Sequence, residues 1–155
     1  MKYRKAKETD YEQIGEVLLK NYNLKNITEA IQVAKDELEM FNCIVAEHKG
    51  QVVGVSFWRV QGLPKHRLVE SVRLAVLPEY RGRGVARTLF KDMIQDAHKY
   101  YRAHNLKIRK LYVHAHANNK KAIEFYKRRG MIHEATLKNH FYDGEDEHIF
   151  SMFFG

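Results

Sequence analysis

The apolar residues follow a helical period in four segments of the chain. Two come early: one apolar face begins after the capping-box spacing of residues 9–12, and a second lies within residues 28–42. The longest segment begins at Gly84, and a short one after residues 118–119, two asparagines that can cap a helix, stops at Gly130. The inward-facing residues predicted for the four helices are Ile14, Val17 and Leu18; Ile31, Ala34 and Leu38; Leu89, Phe90, Met93, Ile94, Ala97 and Tyr101; and Ala122, Ile123 and Tyr126.

Between and after these segments, β-branched and aromatic residues form runs that are typical of strands. The first two runs flank Lys49 and Gly50, which predicts a hairpin. With a short opening segment counted as a strand, the predicted order is strand, two helices, three strands, helix, strand, helix, two strands. This order predicts an α/β protein with a mixed central sheet. The predicted strands after the opening segment are 43–48, 52–60, 68–76, 111–116, 131–137 and 148–154.

Length and composition narrow the class of protein. The chain has 155 residues, of which 45% are hydrophobic, and we expect a single domain over residues 1–155. The N-terminus has charges without an apolar stretch behind them, and no run reaches membrane-spanning length. Cys43 is the only cysteine, so no internal disulfide can form. We therefore expect a cytoplasmic protein without a membrane partner.

The net charge of +8 suits an anionic partner. Nucleic acid, a membrane surface and a small polyphosphate all carry the required charge, and a basic, well-solvated surface without a dedicated partner is equally compatible. The charge therefore does not choose among these classes.

The segment 73–86 combines an apolar strand, a proline turn and a loop rich in glycine and arginine that opens into the longest helix. A helix N-terminus offers unpaired N–H groups, glycines allow close approach of a ligand, and Arg81 and Arg83 add positive charge. The loop lacks the Gly-Lys-Ser/Thr of a Walker motif, and Arg87 replaces the third glycine of a dinucleotide fingerprint. A different phosphate-binding mode is indicated, although a tight turn with two solvated arginines is the alternative.

Two motifs together resemble the GCN5-related N-acetyltransferase (GNAT) family. Arg81-x-x-Gly84-x-Ala86 after a strand is similar to the first signature of that family, and Asn119-x-x-Ala122-Ile123-x-x-Tyr126-x-x-x-Gly130 is similar to its next segment. The resemblance implies a mixed, largely antiparallel sheet of about seven strands with about four flanking helices. It also implies that acetyl-CoA is the cosubstrate.

The resemblance implies a set of cofactor-binding residues along the phosphate loop and the strand before it. Backbone groups of the loop would hold the CoA pyrophosphate, the strand would pair with the pantetheine arm, and Asn119 would reach the same arm. The implied cofactor-binding residues are Leu74, Ala75, Val76, Arg81, Gly82, Arg83, Gly84, Val85, Ala86, Asn119 and Tyr126.

Acetyl transfer to an amine needs an oxyanion donor, a proton for the leaving thiolate and a base for the amine. The resemblance implies the backbone N–H of Val76 for the first role and Tyr126 for the second. For the base, we prefer His114, whose spacing from Tyr126 matches the protein N-terminal acetyltransferase branch, and keep Glu70 or a water chain as alternatives. His114 and His116 would share one strand face, but without a third ligand no metal is expected.

The C-terminal stretch 140–152 resembles the corresponding region of the protein N-terminal acetyltransferases, including the ribosomal-protein-alanine type. There His140 and Phe141 occupy the places of paired tyrosines, and the acidic run 143–147 would suit a cationic amine. We therefore expect a protein N-terminal α-amine as acceptor, with a small polyamine or amino acid as the alternative. A non-catalytic CoA- or RNA-binding module is a third reading, although no nucleic-acid partner is expected. The oligomeric state stays open, a homodimer included.

Overall fold

The computed structural model describes all 155 residues as a mixed α/β fold. Seven strands and four helices alternate in the predicted order, which is therefore confirmed. The strands are β1 (Lys2–Lys5), β2 (Asn42–His48), β3 (Gln51–Gln61), β4 (Leu68–Val76), β5 (Lys110–His116), β6 (Ile132–Tyr142) and β7 (Glu145–Phe153). The helices are α1 (Tyr11–Leu19), α2 (Ile27–Met40), α3 (Val85–Ala103) and α4 (Lys120–Arg128).

The seven strands form one sheet in the order β1-β2-β3-β4-β5-β7-β6. β4 and β5 pair in parallel, whereas β1 with β2, β2 with β3, β5 with β7 and β6 with β7 pair antiparallel. The predicted class, a mixed and largely antiparallel sheet with four helices, is confirmed. None of the helices is both long and apolar enough to span a membrane.

The chain divides into two compact units. The first comprises residues 1–59 and 73–100, and the second comprises residues 60–72 and 101–155. The expected single domain over residues 1–155 stays a prediction.

The first unit contains an apolar core built from two helices, part of α3 and the strands beside them. Both residues of the predicted hairpin turn have positive φ, 50° at Lys49 and 80° at Gly50, as the tight connection from β2 to β3 requires. The indole N–H of Trp58, a buried residue, donates to Asp96 at 3.0 Å. The other core residues with side chains almost fully buried include Ile14, Val17, Leu18, Val45, Phe57, Leu89, Phe90 and Met93.

The second unit has its core around β5. Leu111, Val113 and Ala115 are buried while the residues between them are half-buried, which confirms the predicted alternation. The Tyr101 hydroxyl, on the last turn of α3, donates to the backbone carbonyl of Leu68 at 3.3 Å. Phe150 of β7 is also fully buried.

Two local predictions differ from the structure. The expected capping box beginning at Thr9 is wrong, because a 3-10 turn (Glu8–Asp10) precedes α1 and the Asp10 carboxylate instead accepts the backbone N–H of Lys7 at 2.7 Å. The last hairpin is also longer than predicted. β6 extends to Tyr142 and β7 begins at Glu145, since antiparallel pairing is interrupted after Leu137 but resumes between Tyr142 and Glu145, directly before and after the turn at 143–144.

The Asp10 carboxylate ties β1 to the turn before α1. Arg4 donates two guanidinium N–H groups to it, at 2.8 and 3.0 Å, and also contacts Glu47 at 2.7 Å. Burial raises the pKa of Asp10, but the hydrogen bonds from Arg4 and from the Lys7 backbone outweigh burial, so the net pKa is lowered. The network therefore stabilises the folded state when Asp10 is ionised.

We predict that Asp10→Asn lowers the free energy of unfolding at pH 7 by about 1–3 kcal/mol, because Arg4 loses one of its two charged acceptors. A carboxylate with a lowered folded pKa contributes stability above its unfolded pKa and loses that contribution as the pH falls through the folded pKa. The difference from wild type should therefore shrink below about pH 4, the usual Asp range. Urea unfolding of wild type and variant at pH 7 and at pH 3 measures this difference in unfolding free energy. Glu8→Gln, which changes an exposed carboxylate, is the control. An equal difference at both pH values would contradict this role.

Candidate functional site

The loop from Pro78 to α3 presents an array of unpaired backbone donors. Gly82 and Gly84 have φ of 74° and 81°, a backbone conformation that glycine adopts without steric cost. The N–H groups of residues 82–87 find no acceptor in the protein, and the first backbone bond after them runs from Thr88 to Gly84 at 3.1 Å. These donors lie at the positive end of the longest helix, an arrangement that fits a pyrophosphate.

The side chain of Arg81 is engaged within the protein. Its Nε donates to the Val76 carbonyl at 3.2 Å and its Nη2 donates to the Asn21 side chain at 2.9 Å. Asn21 in turn donates to the same Val76 carbonyl at 3.1 Å and to the Val17 carbonyl at 2.8 Å. The end of β4 is therefore fixed by two side chains, one from the loop and one that follows α1. Arg81 thus anchors β4 through uncharged acceptors and also carries the positive charge that the sequence predicted for this loop.

The exposed guanidinium of Arg83 lies over the Tyr80 ring, 5.2 Å from its centroid. No carboxylate contacts this guanidinium, so Arg83 supplies the loop with a positive charge. The three residues predicted to pair with pantetheine precede this loop: Leu74 is half-buried, and Ala75 and Val76 are buried.

A partly buried ion pair joins β4 to α2 and was missed from the sequence. Arg73 Nε contacts both Glu37 carboxylate oxygens, at 2.7 and 2.9 Å, and its guanidinium lies 4.6 Å from the Tyr22 ring centroid. Burial lowers the pKa of Arg73, but the Glu37 hydrogen bonds outweigh it, and the net pKa is raised. Burial also raises the pKa of Tyr22. The sequence around Arg73 does not predict this ion pair, because a single Arg in a strand is equally compatible with a solvent-exposed face.

The two rival bases of the sequence prediction lie side by side. Glu70 of β4 faces Tyr112 of β5 in register, and the Tyr112 hydroxyl donates to Glu70 Oε2 at 3.2 Å. His114 Nε2 is 3.9 Å from Glu70 Oε1, and only 8% of Glu70 is exposed. His114 Nδ1 is buried without a hydrogen-bond partner. Glu70 and His114 therefore form one pair, with Tyr112 beside the carboxylate.

A second imidazole–carboxylate pair lies further along β5. His116 Nδ1 is 2.5 Å from Glu147 Oε1, and the two residues are register partners on β5 and β7. Glu147 is only 2% exposed, which is unusual for a carboxylate. Sequence reasoning placed Glu147 in an acidic run facing a cationic amine, whereas the structure places it against His116. The only sequence feature that could have placed Glu147 on a strand is its position shortly after Asp143 and Gly144, the turn residues after which a strand could begin.

The second family-like segment forms the start of α4. The Asn119 side chain accepts the Ala122 backbone N–H at 3.1 Å and so caps the helix, as predicted from the sequence. The cap uses the side-chain carbonyl oxygen, so the amide N–H₂ of Asn119 stays available as a donor. Tyr126 is 8% exposed and its ring stacks on Phe150 at 6.3 Å between centroids.

The hairpin between β6 and β7 brings aromatic side chains to His114 and His116. His140 stacks on His114 at 5.8 Å between centroids, and Phe141 lies 6.2 Å from His114 and 6.3 Å from His116. Tyr142 lies 6.3 Å from His116. Phe141 is 63% exposed and Tyr142 is 46% exposed, so both rings are accessible beside the two imidazoles.

The acidic run at the hairpin tip is divided among several partners. Asp146 accepts the Asn139 backbone N–H at 3.1 Å and contacts Lys138 at 3.1 Å. Glu147 contacts His116. The remaining two carboxylates of the run, Asp143 and Glu145, are exposed to solvent.

The family comparison matches residues 39–130 to the acetyltransferase (GNAT) domain. The match covers more than half of the chain, including the phosphate loop, the Glu70–His114 pair and α4. Among curated proteins, none matches the sequence.

Several solved structures share the fold. The ribosomal-protein-alanine N-acetyltransferase from Brucella melitensis is 22% identical with a TM-score of 0.77, covering 99% of this chain and 100% of its own. The ribosomal-protein-S18-alanine N-acetyltransferase from Escherichia coli is 17% identical with a TM-score of 0.78, covering 97% and 92%. An N-acetyltransferase from Staphylococcus aureus Mu50 is 22% identical with a TM-score of 0.75, covering 98% and 97%. At these identities the likeness concerns the fold.

We predict that Gly84→Ala weakens CoA binding at least tenfold, because an alanine resists the φ of 81° and the loop donors shift. The added Cβ meets no atom within 4 Å, so backbone strain of about 1 kcal/mol is the whole structural cost. Titration calorimetry with CoA measures the affinity.

Gly144→Ala is a matched control, since Gly144 has φ of 79° and is equally uncrowded, but lies in the hairpin turn. Both variants should lose similar stability in thermal unfolding, and only Gly84→Ala should lose CoA affinity. Equal affinities in the two variants would contradict a role of this loop in holding the cofactor.

Proposed function

The chain belongs to the GNAT family and is an acetyl-CoA-dependent N-acetyltransferase, and from this premise we propose that it acetylates the α-amine of a protein N-terminus. The observation that carries the proposal is the Glu70–His114 pair next to the accessible ring of Phe141, with the accessible ring of Tyr142 beside the neighbouring His116. A base beside exposed aromatic rings suits an amine that is attached to a peptide, because rings pack against peptide backbone and side chains. Two of the structural relatives carry the ribosomal-protein-alanine activity in their names, which supports the same acceptor class.

Each reacting group of the transfer has a proposed partner in the chain. Acetyl-CoA supplies an activated acetyl thioester. We assign its pyrophosphate to the backbone donors of 82–86 and its pantetheine arm to residues 74–76 and Asn119. The Val76 N–H donates to the oxygen that develops negative charge, while Asn21 and Arg81 hold the following carbonyl in place.

Proton movement is assigned to two side chains. His114 accepts a proton from the amine of the acceptor, and the Glu70 carboxylate, 3.9 Å away, stabilises the imidazolium that results. The Tyr126 hydroxyl donates a proton to the departing sulfur. Glu70 thus acts through His114, as a positioning residue, instead of competing with it for the role of base.

A small polyamine is the second candidate acceptor. Asp143 and Glu145 are exposed carboxylates at the hairpin tip and could attract a cation. A polyamine carries several charges, however, and the other two acidic side chains of the run already have cationic or imidazole partners within the protein. This distribution favours the peptide, which presents a single amine.

We predict that Tyr126→Phe lowers kcat by about 10²- to 10⁴-fold, the usual contribution of a general acid, with KM for acetyl-CoA nearly unchanged. The ring and its packing on Phe150 are kept, so thermal stability should stay within about 1 kcal/mol of wild type. Release of free CoA, followed by thiol detection, measures the rate. Tyr3→Phe on β1 is the control. If KM rises and kcat does not fall, Tyr126 binds the cofactor and is not the acid.

A double-mutant cycle tests the relation between His114 and Glu70. We predict a loss in kcat of about 100-fold for His114→Gln, a smaller loss for Glu70→Gln, and no further loss in the double variant, because Glu70 acts through His114. Multiplied effects would indicate independent roles, and a larger loss for Glu70→Gln would make Glu70 the base. His133→Gln, an exposed histidine of β6, is the control.

The acceptor class is tested with a panel of peptides, polyamines and free amino acids. We predict turnover on peptides with a free N-terminus and none on the same peptides with a blocked N-terminus. Turnover on a polyamine alone, reduced by Asp143→Asn with Glu145→Gln, would transfer the proposal to the second candidate. Tight CoA binding without turnover on any class would support the non-catalytic alternative.

A further inference from the structure

A basic cleft of about 540 Å³ lies in the second unit. Its lining residues are Lys65, Arg67, Arg102, Asn105, Leu106 and Lys107, and none of them belongs to the phosphate loop or to the Glu70–His114 pair. The cleft is formed where the connection from β3 to β4 meets the last turn of α3, which carries Arg102, and the connection from α3 to β5. Its volume is within the roughly 300–1,000 Å³ range of small-molecule sites.

Backbone hydrogen bonds hold the two walls of the cleft together. The carbonyl of Arg67 accepts the N–H groups of Arg109 at 2.8 Å and Lys110 at 3.3 Å. The Arg109 side chain donates to the His66 carbonyl at 3.3 Å. The parallel pairing of β4 and β5 begins directly after these bonds, at Leu68 and Lys110. The cleft is therefore part of the folded framework of this unit.

The four cations of the cleft have no acidic partner. Lys65, Arg67, Arg102 and Lys107 form no ion pair, and no Asp or Glu lines the cleft. Some cations elsewhere do contact carboxylates, as Arg4 does with Asp10 and Arg73 with Glu37. Like charges in one concavity repel one another and attract anions, since a concave surface concentrates their field.

The backbone supplies an independent observation. Four residues other than glycine have positive φ, and two of them, Arg67 at 53° and Asn105 at 56°, line this cleft. Arg67 therefore adopts a left-handed backbone conformation that glycine would adopt more easily. Such backbone conformations are unfavourable for residues other than glycine and tend to occur at ligand-binding sites.

We infer that the cleft is a second anion site, for a small compound that carries several adjacent phosphate groups. Two arginines can each bind a phosphate with two parallel hydrogen bonds, and two lysines add point charges. No aromatic ring lines the cleft, so a nucleobase would find no stacking partner there. The charged part of the ligand therefore supplies the recognition.

Titration calorimetry of the full chain with sodium tripolyphosphate tests this inference. Wild type should bind, and raising NaCl from about 50 to 200 mM should weaken binding, because salt screens the charges. Arg67→Gln with Arg102→Gln should bind at least tenfold more weakly. Lys91→Gln with Lys99→Gln, which removes the same charge from the exposed face of α3, should bind within about twofold of wild type.

Several results would overturn the inference. Equal losses in both double variants would mean that net charge, and not the cleft, attracts the anion. Abolition of binding by saturating CoA would place the anion in the cofactor site. A single-stranded RNA that binds through Arg67 and Arg102 far more tightly than tripolyphosphate would mean that the partner is nucleic acid.

The variants should retain acetyl transfer within about twofold, because the cleft residues have no part in the proposed chemistry. If Arg67→Gln unfolds the protein, Lys65→Gln with Lys107→Gln on the exposed loops makes the same test. Tripolyphosphate binding does not depend on which amine accepts the acetyl group. The proposed anion site and the proposed peptide acceptor can therefore fail independently of each other.

Discussion

The parallel pairing of β4 with β5 is the constraint on which the chemistry of the second unit depends. Its register sets Glu70 opposite Tyr112 and thereby brings the carboxylate within 3.9 Å of His114. The connections that precede the two strands form the basic cleft. If the register of β4 against β5 shifted by one residue, Glu70 and His114 would lie on opposite faces of the sheet, because side chains alternate along a strand.

In the first unit, polar side chains fix the backbone that the cofactor is proposed to contact. Asn21 and Arg81 both donate to the Val76 carbonyl, and the Leu77 N–H donates to the Val53 carbonyl at 2.8 Å. The peptide group after Val76 is therefore bonded on both sides. This matters for catalysis because an oxyanion donor is effective only when its position is fixed before the reaction begins.

Charge pairing separates the structural cations from those available to ligands. Arg4 and Arg73 contact carboxylates within the protein, so their charges contribute to the fold, whereas Arg81 contacts only uncharged acceptors. Arg83 at the phosphate loop and the four cations of the cleft have no carboxylate partner. The net charge of +8 alone could not make this distinction, since it counts both kinds equally.

The sequence by itself determined the order of helices and strands, the class of sheet, the glycine turns and the capping asparagine of α4. These features depend on periodicity and on the backbone preferences of neighbouring residues, which are local. Only the tertiary structure decided that Glu70 pairs with His114, that Glu147 pairs with His116 and that Arg81 contacts Asn21. It also decided that the cations of two separate connections converge on one cleft. The physical reason is that these contacts join residues far apart in the chain, and strand register and loop geometry, which set such contacts, are not encoded in short-range patterns.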